Sequence, residues 1–98
     1  MTLAEFKRTI HGNTLTLVES FNLDPRRGWY ETAHKYRDIP RTVRVRSADM
    51  ILTTPEGSES YMQFGRASDW TIDGKTAVFE ESDGEYGARL VYAIGGAE

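Results

Sequence analysis

The residues with the most chemical potential lie between Arg26 and Arg46. The stretch holds Arg26, Arg27, Trp29, Tyr30, His34, Lys35, Tyr36, Arg37, Arg41, Arg44 and Arg46. Cations interleaved with aromatic rings pair with phosphates and stack on bases. The same mixture of Arg, Tyr and Trp makes hot spots in protein interfaces. We take Arg26, Arg27, Trp29, Tyr30, His34, Lys35, Tyr36, Arg37, Arg44 and Arg46 as candidate binding residues. The competing structural reading packs Trp29 and one or both tyrosines into the core and leaves the arginines to solubilise an edge.

Groups for catalysis do not converge by spacing. The two histidines, His11 and His34, are separated by a loop and a strand. No H-E-x-x-H, G-x-S-x-G or phosphate-loop pattern is present. Gly57 and Gly65 bracket a hairpin rather than opening a helix, so they do not make a dinucleotide fingerprint. Asp73 and Asp83 sit in tight turns, where short carboxylates bond local backbone. The acidic run Glu80-Glu81-Ser82-Asp83-Gly84-Glu85 lacks calcium-loop spacing and reads as a solvated turn. No catalytic residue, metal ligand or cofactor is expected.

The elements that must position these residues follow from periodicity. Residues 2–11 predict a short helix. Thr2 and Glu5 have capping-box spacing, and Leu3, Phe6 and Ile10 share a face. Gly12 suits the left-handed position after the last turn. Runs with β character cover approximately 14–21, 29–36, 41–47, 50–54, 59–64, 69–72, 75–80 and 87–94. The run 29–36 also permits a helix, with Trp29, Ala33 and Tyr36 on one face. Pro55-Glu56-Gly57-Ser58, Asp73-Gly74 and Ser82-Asp83-Gly84-Glu85 are turn sequences. Arg41 to Gly65 reads as the central hairpin. Val43 and Val45 alternate with Arg44 and Arg46, and Met62 and Phe64 alternate with Tyr61 and Gln63. At Met50, Ile51 and Leu52 the apolar residues fall on both parities. That predicts a bulge or corner at Ser47 to Asp49 within a long, bending strand. The expected fold is α+β: a short N-terminal helix followed by a curled antiparallel sheet of five to six strands, small-barrel-like, in the manner of an SH3-like or OB-like barrel.

Ninety-eight residues make one domain, 1–98, able to bury roughly 65% of its unfolded surface. Cysteine is absent, which excludes disulfides and thiolate metal sites and suits an intracellular, cytoplasmic protein. The longest apolar run, Leu90 to Ile94, is far short of a span, and Glu5 stands where a signal peptide would begin its apolar region. Membrane partners are therefore not expected. Charge is uneven. Through Arg46 there are nine Lys/Arg against five Asp/Glu; from Ser47 there are three against ten. The overall acidity disfavours strong non-specific nucleic-acid binding. The expected function is a non-catalytic protein-interaction or accessory module. The alternative is a nucleic-acid-binding small barrel using residues 26–46, and the second alternative is an enzyme. A homodimer formed by pairing of an exposed edge strand is a further expectation.

Overall fold

The Thr2 hydroxyl accepts from the Glu5 N–H at 3.1 Å, and the Glu5 carboxylate accepts from the Thr2 N–H at 3.3 Å. This capping box starts helix α1, Leu3–Ile10, in a computed structural model that describes residues 2–65 and 69–95. Phe6 and Ile10 are buried, Leu3 packs on the core beside them, and Lys7 and Arg8 occupy the last turn. Lys7 Nζ donates to the Ser47 carbonyl at 2.7 Å, tying the helix to a hairpin tip. Gly12 takes φ +80° and donates its N–H to the Val43 carbonyl. The helix therefore ends docked against the sheet, as a segment too short to be stable alone requires.

Eight strands follow: β1 Thr14–Asp24, β2 Gly28–Glu31, β3 Pro40–Val45, β4 Asp49–Thr53, β5 Glu59–Gln63, β6 Trp70–Asp73, β7 Thr76–Ser82 and β8 Gly87–Ile94. They form one sheet in the order β5-β4-β3-β1-β8-β7-β6, with every strand pair antiparallel. Strand β1 is the hub. One edge pairs with β8 along most of its length. The other edge is divided between β3, opposite Thr14 to Thr16, and β2, opposite Phe21 to Asp24. A register shift between Leu17 and Glu19 turns Ser20, like Leu17, to the inner face, where Ser20 is 5% exposed.

The inner face carries Leu15, Leu17, Val43, Met50, Leu52, Ala77 and Tyr92, all buried with Phe6, Ile10, Phe64 and Trp70. Contacts between distant strands show that the sheet curls. The Tyr92 hydroxyl of β8 reaches Met62 Sδ of β5 at 3.7 Å. Just past β5, the Phe64 carbonyl accepts from the Trp70 indole of β6 at 2.8 Å. Phe6 of α1 stacks on Trp70 at 4.4 Å and meets Phe64 edge-on at 6.1 Å. The helix thus fills the space between the two sheet ends.

Several expectations are corrected. Among the described residues the strands number eight, one for each of the eight β runs, rather than the five to six expected of the sheet. The sheet is open: β5 and β6 terminate it and do not pair with each other. Small-barrel closure is therefore not reached, although the curl is. The chain does not bulge at Ser47 to Asp49 but reverses there, with Arg46 N–H donating to the Asp49 carbonyl and Val45 opposite Met50. Residues 40–63 thus make two successive hairpins. Met50, Ile51 and Leu52 are all buried: Met50 and Leu52 belong to the core, and Ile51, on the other face, lies between Arg44 and Tyr61 in register. The run 29–36 is a strand only to Glu31. The Thr32 N–H still bonds the Ser20 carbonyl. Beyond it the chain turns, with Arg37 N–H to His34 O, Ile39 N–H to Tyr36 O, and Asp38 at φ +66°. The loop itself meets the next length of the β1 edge, with Asp38 N–H donating to the Leu17 carbonyl at 2.8 Å and Arg37 bridging Leu17 in parallel.

Gly87 opens β8 where a Cβ would meet the Glu81 carbonyl oxygen and Ser82 Cβ, both at 2.8 Å. The near atoms are on a paired strand and cannot swing away. Gly87→Ala is expected to cost about 1–3 kcal/mol by overpacking, read as a lowered urea midpoint.

Candidate functional site

The basic-aromatic stretch is not one surface. Arg44 and Arg46 lie beyond the Thr14 end of β1, whereas Arg26 and Arg27 lie in the turn beyond its Asp24 end. Most of its cations are engaged within the chain. The Arg27 guanidinium covers the Tyr30 ring at 3.9 Å, and Arg89 covers Trp29 at 4.7 Å while meeting Glu80 at 2.6 Å. Arg46 makes a two-pronged contact with Asp49 and lies 5.3 Å from the Tyr61 ring. Arg37 stands 3.4 Å from Glu31. Arg26 and Arg27 are held by their N–H groups on the Asp24 carboxylate. Trp29 and Tyr30 are half-buried, and Arg44 is exposed on the outer face.

Three of the candidates, His34, Lys35 and Tyr36, do converge, and they converge on Arg41. Arg41 sits opposite Leu15 in register, and directly opposed residues share a face. Leu15 is fully buried, so Arg41 also points inward, and it is 3% exposed. The Tyr36 ring covers its guanidinium at 4.4 Å. The Tyr92 hydroxyl lies beside it from below. Arg41 Nε is buried with no hydrogen-bond partner. Among the described residues no carboxylate is within salt-bridge distance of this side chain.

The loop of residues 32–39 positions the lid over this group. Tyr36 N–H donates to His34 Nδ1 at 3.2 Å, and the Tyr36 hydroxyl accepts from Ser60 Oγ at 3.1 Å. The Lys35 ammonium lies 4.9 Å from the same ring. Outside the ring is a cleft of about 400 Å³ lined by Lys35, Tyr36, Ile39, Thr54, Pro55, Glu56 and Ser58. Arg41 lies within the basic-aromatic stretch but is not among the candidate binding residues, and the alternation that turns Val43 and Val45 inward carries Arg41 inward with them.

The electrostatics follow from burial and crowding. Burial holds Arg41 below its ordinary value, and burial pushes the Tyr92 phenol up. The Ser60 hydroxyl, donating to the phenol oxygen, holds Tyr36 below its ordinary value. Burial, then repulsion from Arg41 and Lys35, lowers His34. Its Nδ1 accepts a hydrogen bond, which fits a neutral ring carrying its proton on Nε2. Because the folded value is depressed, the unfolded chain takes up the proton first as pH falls. His34 therefore withdraws stability as pH drops from the ordinary imidazole value to the lowered one, and withdraws no more below it. Asp49, held down by Arg46, and Asp83, held down by the N–H groups of Tyr86 and Glu85, act in a separate, more acidic window. NMR titration of the His34 ring is expected to give a midpoint below the ordinary imidazole value. A midpoint at or above that value would contradict the crowding of cations around Arg41.

No metal-binding cluster of His, Asp and Glu occurs among the described residues. No described helix is long and apolar enough to cross a membrane. No family model, curated protein or solved structure matches the chain.

Proposed function

We propose that this chain is a non-catalytic protein-interaction domain whose contact point is the cleft beside Tyr36. The observation that supports the reading is the convergence of His34, Lys35, Tyr36 and buried Arg41 at one end of the curled sheet, against a cleft of about 400 Å³. The walls combine an aromatic ring, Ile39, Pro55 and the hydroxyls of Thr54 and Ser58. This is the mixture of apolar anchor and placed polar groups that a partner's segment needs. The surplus of cations on the inner side suits a segment carrying a carboxylate. The small-barrel comparison, SH3-like or OB-like, supplies only a scaffold to this reading. The reading extends to a cytoplasmic location and to a homodimer through an exposed sheet edge, β5 or β6.

Immobilised wild-type domain, Lys35→Glu and Arg8→Glu test the proposal by quantitative capture from cell extract. A partner reduced about tenfold by Lys35→Glu and unchanged by Arg8→Glu, on the helix, is the expected result; tenfold corresponds to about 1.4 kcal/mol. Equal capture by all three proteins removes the cleft from the reading. The nucleic-acid alternative requires open aromatic faces, and those of Trp29 and Tyr30 are covered by Arg89 and Arg27. Oligonucleotide binding that weakens steeply with salt would favour that alternative.

A further inference from the structure

A guanidinium does not lose its proton at physiological pH, so burial cannot neutralise it. Its five N–H donors normally find carboxylates, carbonyls or water. Arg41 is buried to 3% exposure, with Nε unpartnered and no described carboxylate in reach. What it has instead is the face of Tyr36 at 4.4 Å and the hydroxyl of Tyr92. A cation–π contact attracts the charge but accepts no in-plane N–H bond. His34 and Lys35 add positive potential close by. Glu56 lines the cleft, on the far side of the Tyr36 ring.

We propose that Arg41 is the receptor for one compact oxyanion, a carboxylate or a phosphate, which binds when the Tyr36 ring swings off the guanidinium. The planar fork of Arg matches either group with two parallel N–H···O bonds. Tyr36 is placed for the role of lid. It belongs to the irregular loop between β2 and β3, and its hydroxyl is held by side chains alone, Ser60 Oγ and Lys35. Breaking those bonds and rotating the ring opens the route from the cleft to Arg41. Ser60 Oγ is then available to donate to one of the anion's remaining oxygens. The inference rests on the interaction reading above, in which the oxyanion belongs to the partner's segment. It also stands without that reading, if the anion is a free small molecule.

The test uses the full chain labelled with ¹⁵N and follows the Arg41 Nε–H resonance by NMR. Sodium acetate and sodium phosphate are titrated separately at constant ionic strength, with sodium chloride as control. A saturable shift with one or both oxyanions and none with chloride is expected, with a Kd on the order of 1 mM for so small a ligand. The arm that saturates identifies the chemistry. Tyr36→Ala should bind about tenfold more tightly, since the competing ring contact is gone. Arg41→Gln should abolish the response. If Arg41→Gln fails to fold, the wild-type resonance and Tyr36→Ala still decide. No saturable movement in either protein, up to about tenfold above the expected Kd, overturns the proposal. A partner captured through the cleft that saturating anion does not release would separate the two readings. It leaves the interaction surface standing and removes Arg41 from it.

Discussion

Trp70→Ala is expected to unfold most of this domain's margin, costing about 3–5 kcal/mol against a total that for such domains is about 5–15 kcal/mol. Trp70 lies on the short edge strand β6 yet is 4% exposed. Its ring stacks on Phe6 at 4.4 Å and meets Phe79 at 4.9 Å and Tyr92 at 6.3 Å. Its indole N–H donates to the Phe64 carbonyl at 2.8 Å. One side chain therefore joins α1, the end of β5, β7 and β8. Removing it leaves a cavity and an unbonded carbonyl, and it loosens the helix from the opening it fills. Trp70→Phe separates these effects. It keeps most of the ring contact but leaves the Phe64 carbonyl without its donor, at about 1–3 kcal/mol. Urea unfolding monitored by far-UV circular dichroism measures both. A Trp70→Ala loss no larger than that of Trp70→Phe would mean that the ring stack contributes little.

Trp70 and Ile72 alternate with Thr71 and Asp73, which puts both on one face of a strand, as the same alternation does for Val43 and Val45. The helix is legible in the same way: cap, face and terminal glycine all agree. Legibility fails at β4, where Met50, Ile51 and Leu52 read as a register slip if burial is confined to one face, whereas Ile51 on the other face is buried as well. Legibility fails again at residues 32–39. Nothing local tells the chain that the β1 edge beside it is already divided between β2 and β3. The site was half legible. His34, Lys35 and Tyr36 were chosen for their chemistry, but their convergence depends on that loop. Arg41 carries a charge, which points outward, but its parity with Val43 and Val45 places it inside.

Arg41→Met is expected to raise stability by about 1–4 kcal/mol, the range seen when buried charges give way to apolar residues of similar volume. Folding strips water from the guanidinium and returns a ring face and a phenol, while Nε gains nothing. Methionine follows nearly the same path with no charge to desolvate, and its flexible thioether can fill the space between Tyr36 and Tyr92. Alanine is the wrong comparison, since it would add a cavity cost that hides the electrostatic gain. The measurement is the urea midpoint at unchanged m, without added oxyanion. A destabilised Arg41→Met protein would show that the Tyr36–Arg41–Tyr92 cluster holds the loop of residues 32–39 in place. The guanidinium would then be a structural element and not a waiting receptor. A stabilised protein that no longer answers acetate or phosphate would show the opposite. The fold then keeps a group that weakens it, and the compensation comes from what binds there.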